Sequence, residues 1–452
     1  MNKTIFISCF NPFIFRNILT SDVLRILKTR IGTKIVIFVP DYKMDFFKEQ
    51  LNSPNIIIEG IKVWKSSKQD IIFRFLTGSL VDTSTIMVHK KEKLYRDKRY
   101  FRFIISWLLI KIFSHIFFIK TFIRSLDSLT VDKKTFLSYI LKYNPSLVFS
   151  TDVFNDYDIR LLATAQSQKI KTVGMIRSWD NFTTKGVFRI KPNKLIVHNE
   201  ILKNQAINWN GVSKEDIFVS GIPQYDRYIN GKRIDRETFF KKIGLDPKQK
   251  LILFSPFGGR FTDTDWQIME ILKNFIKNKE ILPSQVLVRC TPNDPVNLGK
   301  FLSDENFYID KPGQGFEGRT TRDQELTDLD MDWLADCLYH SDVIVAGGAS
   351  IGIDAAIFNK PTILIHFDGF EEKPYWQSVK RFLEYQHPRD IINSGAMLSV
   401  KSVEELKQHL NNYLDYPLMD RSARKEMLKN QCWKLDGRSG ARIGDFILSL
   451  LY

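Results

Sequence analysis

Residues 341–370 read SDVIVAGGASIGIDAAIFNKPTILIHFDGF. Val343, Ile344, Val345 and Ala346 form a short apolar run, which suits a strand buried on both faces of a sheet. Gly347 and Gly348 then let the backbone turn tightly and approach a ligand. Ser350 stands where the next helix is expected to begin, so its hydroxyl can cap that helix or bind a phosphate oxygen. The N–H groups of a first helical turn favour an anion at the same place. Residues 351–358 are apolar and helix-compatible, Asn359, Lys360 and Pro361 stop them, and residues 362–366 supply a second strand. The stretch is a βαβ unit with a phosphate-sized turn at the carboxyl end of its first strand. A glycine pair in this position also serves plain packing of helix on strand.

The chain around it has 452 residues, more than one ordinary core fills, so two domains are expected. Hydrophobic residues make up 44% and charged residues 26%, which fits a folded, water-soluble chain. The formal net charge of +15 makes polyanions, anionic lipid surfaces and phosphorylated ligands plausible partners without choosing among them. Cys9, Cys290, Cys337 and Cys432 lie far apart with no metal-like spacing and read as reduced thiols of a cytoplasmic protein. No HExxH, CxxC or EF-hand pattern points to zinc or calcium. Ser8, Asn11 and Pro12 interrupt the apolar N-terminus, which reads as a first strand and its loop rather than a signal peptide.

Strands are expected at 4–8, 34–39 and 55–63, with a long loop entering a helix near 22–29. Further strands at 145–151, 171–176, 194–198 and 217–220 alternate with helices at 158–167 and 201–209. A polar, turn-forming boundary at 228–235 leads to strands at 251–255, 286–289 and 307–309 and helices at 237–243, 267–276 and 332–339. This alternation is that of doubly wound α/β domains, whose ligands bind outside the carboxyl ends of the strands. Two such domains imply a cleft between them. We assign 1–230 to an N-terminal acceptor-side domain, 231–425 to a C-terminal nucleotide-donor domain, and 426–452 to a final helix returning to the first domain.

Residues 90–124 depart from the pattern. KKEKLYRDKRYFRF is basic with interleaved aromatics, and the apolar runs after it are broken by Lys111, His115 and Lys120. A membrane-crossing helix needs about 20 mostly uncharged residues, which this span lacks. It fits a helix lying in the interface of an anionic membrane, and equally a buried helix with a solvated basic lead-in. No nucleic-acid motif accompanies it.

Four places in order carry a family resemblance. SWDNFTTKG at 178–186, LVRCTPND at 287–294, SDVIVAGGASIGIDAA at 341–356 and LDGRSGARI at 435–443 follow one another along the chain. In that order they resemble the GT-B superfamily of nucleotide-sugar glycosyltransferases, and within it the branch of the bacterial CDP-glycerol glycerophosphotransferases of wall-polymer synthesis. The resemblance covers residues 145 to the C-terminus. It implies a GT-B fold, two Rossmann-like α/β domains facing across a cleft. It aligns Asp180 with a histidine thought to act as general base, Arg289 with a matching arginine, and Thr291 with a histidine thought to help bind phosphate. Ser350 and Asp354 fall at its ligand positions. A carboxylate base is what inverting sugar transferases usually use, so the two replaced histidines point away from a glycerol-phosphate substrate.

An inverting transfer needs a base for the acceptor hydroxyl and dipolar or cationic partners for the leaving diphosphate. Asp180, in a polar turn after a strand of the first domain, is the candidate base, its alternative being a cap for the next turn. Asp152 is the second candidate, its alternative an N-cap for the helix near 158. Gly348, Ala349, Ser350, Arg289 and Arg260 are candidates for the donor's phosphates, and Asp354 for its ribose hydroxyls. Trp179 and Lys185 are candidates on the acceptor or phosphate side, and the glycine-rich loop 311–319 for the nucleobase. His198, His340 and His366 read as structural. The acidic run DLDMD at 328–332 opens a helix and reads as capping, so no metal site is assigned.

The reading is a cytoplasmic glycosyltransferase at the inner face of the cell membrane. It is inverting and metal-independent, and moves sugar from a nucleotide-sugar co-substrate, with no cofactor, to a glycan or lipid-linked acceptor of a bacterial surface polysaccharide. The alternatives are a CDP-glycerol- or CDP-ribitol-type polyol-phosphate transferase, a non-hydrolysing nucleotide-sugar 2-epimerase, and a non-enzymatic glycan-binding or membrane scaffold.

Overall fold

The computed structural model describes residues 3–451. The chain divides into two compact units, one of residues 1–90, 98–229 and 431–452 and one of residues 91–97 and 230–430. Each is a parallel sheet interleaved with helices, a Rossmann-like α/β domain.

In the first unit the strands are β1 (Lys3–Ser8), β2 (Thr33–Pro40), β3 (Ile56–Ile61), β4 (Leu147–Ser150), β5 (Lys171–Met175), β6 (Lys194–Val197) and β7 (Ile217–Val219). They lie in the order β3-β2-β1-β4-β5-β6-β7, all parallel. The register sets Ile5 opposite Ile35 on one side and Leu147 on the other. All four residues of β4 are buried, and only the first residue of β1 is not, because helices cover both faces and leave no polar alternation. Phe6, Phe38 and Phe136 meet edge to face in the core, with centroids 4.9 and 5.3 Å apart.

The returning C-terminal helix Ser439–Ser449 lies on the helix Asp22–Thr29. Gly444 permits this approach, since a Cβ there would stand 2.9 Å from Ile26 Cβ. Phe446 adds a stacked contact with Phe218 at 4.2 Å.

Two stretches differ from expectation. The loop foreseen after β1 is helical from Pro12 to Leu19, because Asn11 caps it and Pro12 occupies a first-turn position, where its missing N–H costs nothing. The segment 104–123 is not one helix. Tyr100–Leu108 runs into a π-turn over Leu109–Phe113, and after a break Phe117–Thr130 forms a second helix.

The second unit contains β8 (Lys250–Ser255), β9 (Ser284–Arg289), β10 (Phe307–Asp310), β11 (Val343–Ala346), β12 (Thr362–Ile365) and β13 (Leu398–Val400). Their order is β10-β9-β8-β11-β12-β13, again all parallel. The edge strand β13 was not anticipated, since three residues are too short for any periodicity to show. The acidic run 328–332 does cap its helix: Thr327 and Asp330 form a reciprocal capping box.

Candidate active site

Both sheets wind outward from one central reversal, between β1 and β4 in the first and between β8 and β11 in the second. At such a point the loops following the two strands diverge and leave a crevice at their carboxyl ends. The sequence candidates fall at or beside these two places.

In the first domain, Asp152 follows β4 directly and is buried. Its Oδ2 accepts from Arg177 Nε at 2.9 Å and lies 3.6 Å from Lys185 Nζ, while Oδ1 accepts from the Phe154 N–H. Asp152 is therefore not the helix cap; Asn155 caps the helix Asp156–Ser167. Burial pushes the Asp152 carboxyl up, but the Lys185 ammonium and the Arg177 guanidinium outweigh it and hold the group below its usual range. A carboxylate so neutralised is a weak base.

Beneath it lies Asp158, a residue that sequence reasoning treated only as helix. Its Oδ1 accepts from the hydroxyls of Ser8 and Ser150 and, at 3.3 Å, from the Asp152 N–H. Burial, with the neighbouring Asp152 charge, pushes this carboxyl up to about 7. The only sequence signal was a third Asp on the turn after β4, at a position that helical spacing turns inward.

Asp180 is half-buried and precedes the short helix Asn181–Lys185. Its side chain makes no capping hydrogen bond to that helix. Instead the carboxylate accepts from the Ser178 hydroxyl, while its backbone carbonyl accepts from Thr183 and Thr184. The capping alternative is thus not what the structure contains. The loop from Arg177 to Lys185 ties the candidates together, since both its ends reach Asp152 and Asp180 starts the helix that carries Lys185. Trp179, beside Asp180, is half-buried.

In the second domain the turns after β8, β9 and β11 touch. A Cβ on Gly258 would stand 3.0 Å from Asp294 Cβ and Thr291 Oγ1, and Gly347 lies against the ring of Phe257. The two glycine turns are chemically different. At the first, the N–H groups of Phe257 and Gly258 both donate at 2.9 Å to the buried carboxylate of Asp265. Burial pushes Asp265 up to about 6 against the pull of those amides. That anion-binding nest is already filled by the protein's own carboxylate. Arg260, at the rim, is exposed, and its guanidinium lies over Phe261.

The turn after β11 is built differently. The helix Ala349–Ile357 begins two residues earlier than expected, with Gly348 as N-cap, a residue with no side chain to make a capping bond. Ser350 is therefore inside the first turn, exposed, rather than the cap itself. Nothing lies within 4 Å of where a Gly348 Cβ would be. Gly348 thus lies in open space at the N-terminal end of an apolar helix, where the helix dipole is positive. Asp354 follows one turn later and is buried at the same helix.

Arg289 sits at the end of β9 and is buried. It forms an ion pair with Asp310 on β10 and donates at 3.3 Å to the Asp330 carbonyl, and Trp333 Nε1 also donates to Asp310 at 2.9 Å. Two of its nitrogens thus join β9 to β10 and to the helix Asp328–His340. Thr291 Oγ1 donates to the Asp294 carbonyl at 2.8 Å. His198 and His366 are buried, and burial lowers both to about 4. Among the described residues, no three His, Cys, Asp or Glu side chains are placed to hold a metal ion.

Most of the chain, from residue 161 onward, fits a known sequence profile. That of the CDP-glycerol:poly(glycerophosphate) glycerophosphotransferase family matches residues 161–449. The chain belongs to this family. A search of curated proteins finds no significant sequence match. Solved structures agree on the fold over the whole length. The UDP-GlcNAc 2-epimerase of Neisseria meningitidis, bound to UDP-GlcNAc, superposes with a TM-score of 0.58 at 12% identity, covering 99% of this chain and 100% of that one. The UDP-GlcNAc 2-epimerase of Methanocaldococcus jannaschii gives 0.55 at 15% identity, with coverages of 99% and 100%. At such identities the likeness concerns the fold alone, which is of the GT-B type. Membership of this family makes the chain an enzyme of the nucleotide-linked transferase kind. No helix among the described residues is long and apolar enough to cross a membrane.

Proposed function

We infer that this enzyme transfers a sugar from a nucleoside-diphosphate sugar to an alcohol of a glycan or lipid-linked acceptor, with inversion and without a metal ion. The context is bacterial surface-polysaccharide synthesis, at the cytoplasmic face of the membrane. The observation that carries this reading is the glycine-capped start of the helix Ala349–Ile357, exposed at Gly348, beside a neighbouring turn whose amides Asp265 already occupies. It supplies a seat for a leaving diphosphate made of dipoles rather than of cations. The acceptor hydroxyl gives its proton to Asp180 as its oxygen bonds to the anomeric carbon. The bond from that carbon to the diphosphate oxygen breaks, and the nucleoside diphosphate leaves.

The family profile favours a second reading, polyol-phosphate transfer from a CDP-alcohol. A phosphorus centre calls for cationic groups around its equatorial oxygens. Here Arg289 is engaged with Asp310, and a threonine with its hydroxyl turned to Asp294 stands where the family's histidine falls. This weighs toward the sugar. A donor screen separates the readings. Turnover with a nucleotide sugar and an acceptor, but not with CDP-glycerol or CDP-ribitol, is the expected result; the converse establishes the polyol-phosphate reading. Conversion of a nucleotide sugar with no acceptor present would make the enzyme an epimerase, like its structural neighbours.

A further inference from the structure

The helices Tyr100–Leu108 and Phe117–Thr130 of the first domain each turn apolar side chains outward. In the second, the charged residues face the domain. Asp127, wholly buried, takes a two-pronged contact from Arg189 at 2.6 and 2.8 Å. Lys120 is 2% exposed and donates to the Trp209 carbonyl, and Arg124 donates to the carbonyls of Phe188 and Asn210. The outer stripe of the same helix is Phe118, Phe122, Leu126 and Leu129, spaced three or four residues apart. Phe118 and Leu129 are each 77% exposed. The first helix also turns Phe101, Ile104, Trp107 and Leu108 outward, with Ser106 buried and Arg102 exposed. Nearly half of the large apolar side chains that the fold leaves exposed lie between residues 100 and 129. A patch of this kind on a water-soluble domain marks a surface that something covers.

Charge indicates what covers it. Lys98, Arg99 and Arg102, all exposed, border the apolar stripes, as does Lys111, which is paired with Asp82 at 2.7 Å. A second copy of the chain seated on this face would set these cations against their own equivalents. An anionic bilayer pairs them with phosphate head groups while accepting the aromatic and aliphatic side chains below. We propose that the helix pair 100–130 lies in the interface of an anionic phospholipid membrane, with its apolar face in the acyl boundary and its basic rim at the head groups. The inward salt bridge and backbone contacts tie the second helix, Phe117–Thr130, to the domain.

The test is co-sedimentation of the full chain with phosphatidylcholine vesicles, with and without phosphatidylglycerol. The expected result is binding to the phosphatidylglycerol vesicles that weakens as salt is raised, with the Phe118→Asp/Phe122→Asp variant partitioning at least ~10-fold less. Lys98→Glu/Arg99→Glu should weaken binding while leaving the apolar stripe intact. Both pairs are exposed, so the melting temperature should stay within a few degrees of wild type; Leu129→Ser is the milder variant if it does not. Absence of binding to either vesicle, or undiminished binding by a folded Phe118→Asp/Phe122→Asp variant, overturns the proposal. So does a wild-type dimer in solution that this variant turns into a monomer, which assigns the patch to a second copy.

Discussion

The ring of Phe257 fills the space where residue 347 would carry a side chain, so that a methyl group on Gly347 would stand 2.5 Å from Cδ2 of that ring. The ring is buried at the root of one strand-end turn, and the glycine begins the other. Gly347→Ala therefore has to displace a packed aromatic. We expect a loss of ~1–3 kcal/mol in denaturant unfolding, the usual cost of overpacking, together with weaker donor binding. Gly348→Ala is the control. Its φ of −118° suits any residue and its Cβ meets open space, so stability should be near wild type while nucleotide affinity falls. Undiminished nucleotide affinity in the folded Gly348→Ala protein would show that this turn does not meet the donor.

The two aspartates of the first domain should separate cleanly. Asp180→Asn leaves the helix cap unchanged, because no capping bond is lost. Stability should shift by less than ~1 kcal/mol while turnover falls ~10²–10⁴-fold, the range for removing a general base. Asp152→Asn strips Arg177 and Lys185 of a buried partner, so unfolding should become easier by ~2 kcal/mol or more. Thermal melts alongside initial rates decide the matter. A stable, fully active Asp180→Asn enzyme would remove that residue from the mechanism.

Asp158 should make stability depend on pH. Its carboxyl titrates near 3.8 in the unfolded chain and at about 7 in the fold. Between these values the folded chain keeps a proton that the unfolded chain has released, so this residue's contribution falls as pH rises. One proton corresponds to at most about 1.4 kcal/mol per pH unit. The stability of wild type relative to Asp158→Asn should therefore decline from about pH 5 to about pH 7 and level off above about pH 8. Taking the difference cancels His198 and His366, whose lowered values give the opposite slope in the acid part of this range.

Arg289 offers a test of structure against ligand contact. Removing it strands the Asp310 carboxylate, so Arg289→Ala should lose ~3 kcal/mol. Donor affinity of the folded protein, read by calorimetry with the nucleoside diphosphate, should change less than ~10-fold. A hundred-fold loss of affinity at unchanged stability would show that the guanidinium reaches the phosphates after all.

The alternation of apolar runs with helical patterns, read from residues alone, determined the parallel, doubly wound sheets, because a strand buried on both faces must be apolar throughout and each parallel crossover needs a helix. It also determined the βαβ unit at 341–370 and its position among the short motifs of the family. Tertiary structure alone decided which partners each candidate meets. The Phe257–Gly258 and Gly348–Ser350 turns look alike as strings, but only the fold puts Asp265 into the first and leaves Gly348 of the second facing open space. Arg289 reads as a phosphate ligand until β10 brings Asp310 beside it, 21 residues along the chain. The helix 117–130 has the composition of either a buried or an interfacial segment, and only the direction of its side chains, charges inward and phenylalanines outward, distinguishes the two. Local pattern records what a residue prefers; which partner satisfies that preference is set by segments remote in sequence, and the chemistry of this enzyme depends on those partners.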